Sequence, residues 1–268
     1  MSAQPQKTSP PSSETSPETV DALCDKHGAF KARVIDCSML GVPPIIGTCP
    51  QCSEERQAEE VRRKAEQEAE YRRSRTEHLL AHSGIPLRFM DRTFDGYRAS
   101  GPGQRFALNV CRRYADSWPD QWEKGGSLVL TGGPGTGKTH LACAIGRQVI
   151  QQHLAQVAFN TVLGMVRSIK DTYRRDSERS EQEAINALVA PRLLILDEVG
   201  VQIGSDHEKM LVFEVLNARY EELRPTILLS NLAADDLEQF IGQRVMDRYR
   251  ECGVVVPFDW QSYRGQRA

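Results

Sequence analysis

The stretch GGPGTGKTH, at residues 132–140, decides the fold that this sequence predicts. It fits the pattern G-x-x-x-x-G-K-[ST], and the apolar run SLVLTG at 127–132 leads directly into it. With a helix following, the backbone N–H groups of such a loop surround phosphates, and the helix dipole adds attraction. A chance glycine-rich turn is the alternative. The predicted nucleotide contacts are Gly133, Pro134, Gly135, Thr136, Gly137, Lys138, Thr139 and His140.

Lys138 and Thr139, at the end of this loop, have separate expected roles. The Lys138 ammonium group would neutralise phosphate charge, and the Thr139 hydroxyl would hold Mg²⁺. The apolar strand LLILDEV at 193–199 delivers two adjacent carboxylates, Asp197 and Glu198. We expect Asp197 to order Mg²⁺ through water and Glu198 to act as general base for an attacking water. Two solvated acids at the end of a strand are the alternative.

Asn231 closes another apolar run, TILLSN at 226–231. The strand order expected for a nucleotide-binding α/β sheet would place this residue beside the γ-phosphate, where its amide can orient the lytic water. An asparagine that ends a strand is also common turn chemistry, and this is the alternative interpretation.

Five short apolar runs predict the strands of the fold. They are residues 127–132, 156–162, 193–199, 226–231 and 254–258. The segments between the first four runs carry helical spacing, which predicts βα units. Such units build a parallel sheet covered by helices on both faces. The predicted fold class is therefore α/β.

Composition limits the functions that the chain can have. Its 268 residues carry a formal net charge of −2, so a contact with nucleic acid must depend on a local basic patch. No run approaches the roughly 20 apolar residues that span a bilayer, and the N-terminus lacks the features of a secretory signal. Seven cysteines without export indicate a reducing compartment, where clustered cysteines favour metal over disulfides. We expect a cytoplasmic protein with no membrane contact.

The sequence before the α/β domain divides into three segments of different composition. Residues 1–20 are rich in Pro, Ser and Thr and are predicted to be disordered. Residues 21–52 hold four of the seven cysteines and are predicted to form a metal-binding module. Residues 53–83 carry many favourable (i, i+4) charge pairs and predict a helix. This helix is either a solvated connector or an arm that docks a partner, and residues 84–268 form the α/β domain.

Two chelating pairs, Cys24-x-x-His27 and Cys49-x-x-Cys52, lie in the cysteine-rich segment. Pairs of this spacing can supply the four tetrahedral ligands of a structural Zn²⁺ site. So short a segment has little core and could hardly fold without metal. Cys37 is the substitute ligand, and free thiols in an unstructured arm are the alternative. The isolated cysteines, predicted to be small apolar core residues, are Cys111, Cys143 and Cys252.

Several strings in the sequence together resemble one family. They are GIPLRFMDRTFDGY at 84–97, GGPGTGKTH at 132–140, LDEVGVQ at 196–202, RPTILLSN at 224–231, RVMDR at 244–248 and FDWQSYR at 258–264. In this combination they resemble the DnaC-type replicative helicase loaders, which are AAA+ ATPases. The resemblance covers residues 84–268 and implies ATP-dependent loading of a DnaB-type helicase onto single-stranded DNA. Few residues follow the last predicted strand, so we expect little or no helical lid.

The resemblance assigns roles to two arginines. Arg248 matches an arginine finger directed at the γ-phosphate of a neighbouring subunit, and a guanidinium supplied in this way can accelerate hydrolysis by about 10³–10⁵. Hydrolysis should then be slow in an isolated subunit and stimulated by self-assembly or DNA. A surface arginine paired with Asp247 or Glu251 is the alternative. Arg264 matches the family's second sensor arginine and is predicted to contact the nucleotide.

The resemblance also implies a surface for single-stranded DNA. Lys170 and Tyr173 match a helix, and Ser205 and His207 match a loop, that face DNA in the family's assemblies. A cation suits a phosphate and an aromatic ring suits an unpaired base. The family more often has another aromatic residue at the position of His207. An ordinary solvated helix end is the alternative.

The N-terminal region is expected to bind the helicase. In DnaC-type proteins this region holds the helicase, so residues 21–82 are predicted to do so here, and their CxxHG…CPxC pattern resembles phage and prophage variants of the family. Two other functions stay open: an IstB-type transposition helper ATPase that assembles on duplex DNA, and a zinc-headed DNA-binding protein with a nucleotide switch. The RVMDR and FDWQSYR strings favour the loader over the transposition helper, and the absence of a strongly basic arm weakens both duplex-centred alternatives.

Overall fold

A computed structural model describes residues 19–200 and 205–265 of the chain. These residues separate into two units, with the boundary between Tyr71 and Arg72. The segment predicted to be disordered, residues 1–20, lies almost entirely outside the described residues. Its last two residues, however, belong to the first strand.

The first unit contains a small antiparallel sheet and the start of a long helix. The strands are β1 (Thr19–Cys24), β2 (Gly28–Ile35) and β3 (Ile45–Ile46), in the order β1-β2-β3. Helix α1 (Pro50–Ala81) begins in this unit and ends in the second. The helix starts three residues before the predicted boundary at residue 53, because the fixed φ of Pro50 suits the first helical position. Cys52 therefore lies in the first turn of α1.

The second unit is built from alternating strands and helices. Its helices are α2 (Pro102–Asp116), α3 (Trp118–Lys124), α4 (Lys138–His153), α5 (Val162–Lys170), α6 (Glu181–Val189), α7 (Asp206–Glu221), α8 (Ala234–Ile241) and α9 (Gln243–Glu251). Its strands are β4 (Ser127–Thr131), β5 (Val157–Thr161), β6 (Leu193–Val199), β7 (Thr226–Ser230) and β8 (Gly253–Pro257). All five predicted strands are present, so the predicted α/β fold is confirmed.

The five strands form one parallel sheet in the order β5-β6-β7-β4-β8. In β4, Leu128 and Leu130 pack into the core on one face, whereas Val129 packs into the core on the other. Helices cover both faces, which explains why the strands are apolar throughout instead of alternating. Cys111 and Cys143 are fully buried in this domain, and Cys252 is partly buried.

The strand order determines which loops meet. Strand β4 lies between β7 and β8, and β7 also pairs with β6. Because the strands are parallel, the carboxyl ends of β4, β6 and β7 lie at the same edge of the sheet. Among the described residues after β8, the one helical element is a 3-10 turn, Tyr263–Gly265. None of the described helices is both long enough and apolar enough to cross a membrane.

Candidate nucleotide, metal and nucleic-acid sites

The predicted phosphate loop leaves the end of β4 and runs into α4. Gly132, Gly135 and Gly137 have φ values of +121°, +76° and +103°, a region that glycine adopts at little cost. Helix α4 begins at Lys138 and presents its N-terminus to the loop. The sequence pattern therefore folds into the strand–loop–helix arrangement that it predicted.

The loop keeps several amide groups free. Among the described residues, none accepts a hydrogen bond from the backbone N–H of Gly135, Thr136 or Gly137. Successive unpaired amides beside a helix N-terminus form a cradle for an anion. The loop thus fits the phosphates of a nucleotide.

Lys138 folds back onto its own loop. Its side chain is buried, and Nζ donates to the carbonyl oxygens of Gly132 at 2.5 Å and Gly133 at 2.8 Å. Burial lowers the pKa of Lys138 to about 8. The ammonium group is therefore held at the loop by acceptors that a phosphate could replace.

Thr139 and Asp197, the two predicted Mg²⁺ ligands, contact each other. The Thr139 hydroxyl donates to Oδ2 of Asp197 at 2.9 Å, and the backbone N–H of Glu198 donates to Oδ1 at 2.7 Å. Burial raises the pKa of Asp197, while these two hydrogen bonds oppose that effect. A hydroxyl and a carboxylate at the end of a phosphate loop are oxygen ligands that fit Mg²⁺.

Glu198 and Asn231 occupy the same edge of the sheet. Glu198 is exposed and has a φ of +62°, which is uncommon for a residue with a side chain and concentrates at functional sites. Asn231 is exposed and follows the last residue of β7, between the ends of β4 and β6. Both side chains are thus accessible beside the phosphate loop.

Tyr97 and Trp260 contact the phosphate loop but were missed in the sequence. Both donate to the carbonyl oxygen of Thr136, Tyr97 through its hydroxyl at 3.3 Å and Trp260 through Nε1 at 3.0 Å. His140, predicted to contact nucleotide, lies against the Tyr97 ring and hydrogen-bonds the carbonyl oxygen of Thr93 at 2.8 Å. Its ring therefore supports the segment that carries Tyr97.

Arg264 lies beside the phosphate loop, and its contact with the nucleotide stays a prediction. A Cβ atom on Gly135 would come within 3.2 Å of Cγ of Arg264. The charge of the guanidinium group also lowers the pKa of both Lys138 and Asp197, as secondary effects after burial. Arg264 is exposed, so its guanidinium group is available to a bound anion.

Arg248 packs against its own chain. Its guanidinium carbon lies 4.8 Å from the centre of the Tyr220 ring, and Nη1 is 3.8 Å from Oε1 of Glu221. Nη1 is buried and has no hydrogen-bond acceptor among the described residues. Asp247 and Glu251, the predicted alternative partners, contact other side chains.

The four predicted zinc ligands converge in the first unit. Nδ1 of His27 lies 3.8, 3.6 and 3.3 Å from the Sγ atoms of Cys24, Cys49 and Cys52. The Sγ atoms of Cys24 and Cys52 are 3.5 Å apart. Ligands about 2.1–2.3 Å from a tetrahedral zinc ion are about 3.4–3.8 Å from one another. The distances given lie in or just below this range, so the cluster fits a zinc ion, and Cys37 is not part of it.

Two structural elements position these ligands. Cys24 ends β1 and His27 lies in the tight turn before β2. Hydrogen bonds from the backbone N–H groups of Lys26 and His27 lower the pKa of Cys24 to about 6. Cys49 and Cys52 lie just before and within the first turn of α1. The hydrogen bond between Cys52 and Cys24 raises the pKa of Cys52 to about 11.

Glu55 orients the histidine of this cluster. Its Oε1 lies 3.1 Å from Nε2 of His27, while Oε2 pairs with Nζ of Lys26 at 2.5 Å. The carboxylate therefore accepts a hydrogen bond from the Nε2–H group and leaves Nδ1 free to face the sulfur atoms. Sequence spacing did not reveal Glu55, because it acts on the histidine from a different element.

The predicted DNA-contacting residues lie in one connected group. Lys170 Nζ pairs with Oε1 of Glu208 at 2.7 Å, and the Tyr173 hydroxyl lies 3.1 Å from Nε2 of His207. Ser205 caps α7 by accepting from the backbone N–H of Glu208 at 3.3 Å. The helix and loop that the sequence treated separately thus form a single surface.

The parallel sheet, its strand order and the phosphate loop define a P-loop ATP-binding protein of the AAA+ class. Comparison with known families is in agreement: residues 60–268 match the family described as IstB-like ATP binding protein. The chain belongs to this family.

Curated relatives and solved structures extend the comparison. The chain is 34% identical over 205 residues to the replicative helicase loader DnaC of Escherichia coli (strain K12), a match that covers 76% of this chain and 82% of that protein. It is also 34% identical over 189 residues to DnaC of Buchnera aphidicola subsp. Acyrthosiphon pisum (strain APS), covering 70% and 75% of the two chains. A crystal structure of the DnaC helicase loader has a TM-score of 0.58 at 22% identity, covering 64% of this chain and 99% of that one. This structural likeness supports the fold.

Proposed function

We propose that this protein loads a DnaB-type replicative helicase onto single-stranded DNA under the control of ATP. The observation that carries the proposal is the 34% identity to replicative helicase loaders across most of both chains. Two sites support the proposal. Residues of the phosphate loop and of the adjacent sheet edge fit ATP. A separate surface carries cations and aromatic rings that suit single-stranded DNA.

The nucleotide site supports ATP hydrolysis. The loop amides and Lys138 would hold the phosphates, and Thr139 and Asp197 would hold Mg²⁺, which neutralises phosphate charge when bound. Glu198 is the proposed general base, and Asn231 the proposed group that orients the attacking water. The positive φ of Glu198 supports this role, because strained backbone is retained where a side chain must be aimed.

Arg248 would act on the nucleotide of a neighbouring subunit. Its buried Nη1 atom has no hydrogen-bond acceptor within the described chain, and an unsatisfied buried donor is costly. The Arg248 side chain is 19% exposed, and this exposed part would contact a phosphate supplied by a second copy. The dependence of Arg248 on a neighbour also supports self-assembly within the helicase complex.

The surface formed by Lys170, Tyr173, Ser205 and His207 would contact single-stranded DNA. Tyr173 is exposed and can stack on an unpaired base, which contributes about 1–3 kcal/mol per base. Lys170 can exchange its contact with Glu208 for a phosphate. This surface carries few charged side chains, in agreement with the absence of a strongly basic arm.

The zinc module would form part of the helicase-binding region, residues 21–82. The spacing of its four ligand atoms supports a structural Zn²⁺ ion, because four protein ligands leave no open position for catalysis. Exposed apolar side chains are concentrated in this module, and they supply contact area for a partner. They include Leu23, Ile35, Met39, Ile45 and Ile46.

A transposition helper is the second candidate function. The match to the IstB-like family favours it, since the same ATP-binding core occurs there. A zinc-headed DNA-binding protein with a nucleotide switch is the third, and the zinc-ligand spacing favours it. The three candidates differ in the partner that each requires.

Co-elution with a purified DnaB-type helicase from the same source tests the proposal. The full chain and a shortened chain that begins at Arg72, the boundary of the second unit, are each mixed with helicase, with and without ATP. We expect the full chain to co-elute and the shortened chain to lose the complex. If the full chain does not bind helicase and instead forms filaments on duplex DNA with ATP, the transposition helper replaces the loader.

A further inference from the structure

The phosphate loop is held from behind by two segments that are distant in sequence. The carbonyl oxygen of Thr136 accepts hydrogen bonds from the hydroxyl of Tyr97 at 3.3 Å and from Nε1 of Trp260 at 3.0 Å. The carbonyl oxygen of the preceding residue, Gly135, accepts from the backbone N–H of Tyr263 at 3.0 Å. Two consecutive peptide units of the loop are therefore anchored on their carbonyl side.

The same segments lie directly against the loop glycines. A Cβ atom on Gly137 would come within 2.6 Å of Cε2 of Tyr97, and one on Gly135 would overlap the hydroxyl of Ser262. Side chains at these two positions would push Tyr97 and the C-terminal segment away. The glycines are thus needed for this close approach as well as for their positive φ values.

The geometry of the peptide bond connects these anchors to the phosphate site. Every peptide bond between described residues is trans, so the C=O and N–H of one unit point in opposite directions. Donors on the carbonyl of Thr136 consequently direct the N–H of Gly137 away from Tyr97 and Trp260. In the same way, the hydrogen bond from Tyr263 to the carbonyl oxygen of Gly135 directs the N–H of Thr136 away from Tyr263. These two amides are among those with no acceptor in the described chain.

We propose that Tyr97 and Trp260 are positioning residues that aim the amide groups of the phosphate loop at the phosphates of ATP. The inference rests on the proposed ATP site and does not require helicase loading. Both donors are permanent at neutral pH, because an indole N–H does not titrate and burial raises the pKa of the Tyr97 hydroxyl. Amides that are oriented before binding lose less freedom when phosphate arrives.

Isothermal titration with two ligands tests this role. Tyr97→Phe and Trp260→Phe remove one donor each and keep an aromatic ring, while Trp122→Phe is the matched control. The guanidinium groups of Arg192 and Arg224, which precede β6 and β7 at the opposite edge of the sheet, both lie over the Trp122 ring. The ligands are Mg-ATP and tripolyphosphate, which has neither base nor ribose. We expect each donor-removing variant to bind both ligands about 3- to 10-fold more weakly, with the control unchanged.

Two further readouts separate positioning from general damage. The melting temperature without ligand should stay close to that of the wild type in Tyr97→Phe, which loses a single hydroxyl. Hydrogen exchange at the free amides of the loop should be altered in both variants, because their peptide units are less fixed. If Trp260→Phe fails to fold, Tyr97→Phe carries the test alone.

The ligand comparison decides between positioning and direct contact. A loss of affinity for ATP without a loss for tripolyphosphate would show contact with the base or ribose and would overturn the proposal. Unchanged affinity for both ligands would overturn it as well. A wild-type chain that binds neither ligand contradicts the ATP site and this inference together. A chain that binds ATP normally but does not co-elute with helicase contradicts the loader proposal alone.

Discussion

At the scale of single residues, Arg219 shows how a buried charge can serve the fold. The side chain is completely buried in the second unit, yet no carboxylate pairs with it among the described residues. Its guanidinium group donates to the Thr226 hydroxyl and to the carbonyl oxygens of Leu188, Val189, Pro191 and Pro225. Two of these carbonyls end helix α6, where they lack helical partners and attract positive charge. Burial lowers the pKa of Arg219 to about 10, so it remains charged at neutral pH.

Replacing this arginine should destabilise the second unit. Arg219→Met fills much of the same volume but leaves several buried carbonyls without donors, so we expect a loss of about 2–4 kcal/mol in the free energy of unfolding. Urea denaturation followed by circular dichroism measures it. Arg113→Met, at an exposed position, is the control and should change stability by no more than about 0.5 kcal/mol. Equal effects from both substitutions would refute this account of Arg219.

The pKa of Lys138 predicts a pH dependence of nucleotide binding. Because burial lowers this pKa to about 8, the free protein loses the charge above pH 8, whereas bound phosphate favours the charged form. Affinity is therefore greatest below pH 8 and falls as pH rises. Between pH 7 and pH 9 we expect the Kd of Mg-ATP to rise about tenfold, measured by calorimetry. Lys138→Arg keeps its charge in this range and should remove the dependence; a flat profile in the wild type would contradict the prediction.

At the scale of structural elements, the strands of the sheet could be predicted from the sequence, whereas the residues that hold the phosphate loop could not. The five strands of the second unit were predicted because buried parallel strands are short, apolar and separated by helical spacing. The phosphate loop and Asp197 follow two of those strands, so local pattern identified them. Tyr97 and Trp260 lie 39 and 124 residues from Thr136, and only tertiary folding brings them to the loop. The first unit was predicted as a metal module without its strands, although β2 alternates less-exposed and exposed residues from Phe30 to Ile35, a pattern that indicates a strand.

The start of helix α1 offers an element-scale test of the zinc site. Glu55→Gln keeps the size of the side chain but weakens its hydrogen bond with His27, so we expect zinc affinity to fall about 10- to 100-fold. Competition with a chromophoric chelator measures the affinity. Glu54→Gln, its exposed neighbour, is the control and should leave zinc affinity unchanged. Identical affinities for Glu55→Gln and the wild type would show that the carboxylate does not orient His27.

At the scale of the whole molecule, the role proposed for Arg248 predicts that ATP hydrolysis is a property of several copies. The guanidinium group rests on Tyr220 and Glu221 of its own chain, whereas the phosphate loop lies at a different edge of the domain. Under the proposed function, one copy would supply the loop and another would supply the arginine, as in a head-to-tail interface. Such an arrangement makes the rate of ATP hydrolysis depend on protein concentration.

Mixing two inactive variants tests this division. Lys138→Ala removes the phosphate contact and Arg248→Ala removes the arginine, so each alone should lose about 10³-fold or more of the stimulated ATPase rate. In an equal mixture, an intact loop can meet an intact arginine, and about a quarter of the wild-type rate should return. Arg250→Ala, on the same helix but paired with Glu238, should retain activity. A mixture as inactive as its components would mean that Arg248 does not act between subunits.

The contact of Lys138 with its own loop has a consequence for selectivity among anions in a cell. Any entering anion must first draw the ammonium group away from the carbonyl oxygens of Gly132 and Gly133. That exchange costs a similar amount for every ligand, whereas the compensating attraction grows with the number of phosphate groups. Inorganic phosphate, abundant but small, is thereby disadvantaged relative to a triphosphate. The contact of Lys138 with its loop therefore favours the binding of polyphosphates over that of inorganic phosphate.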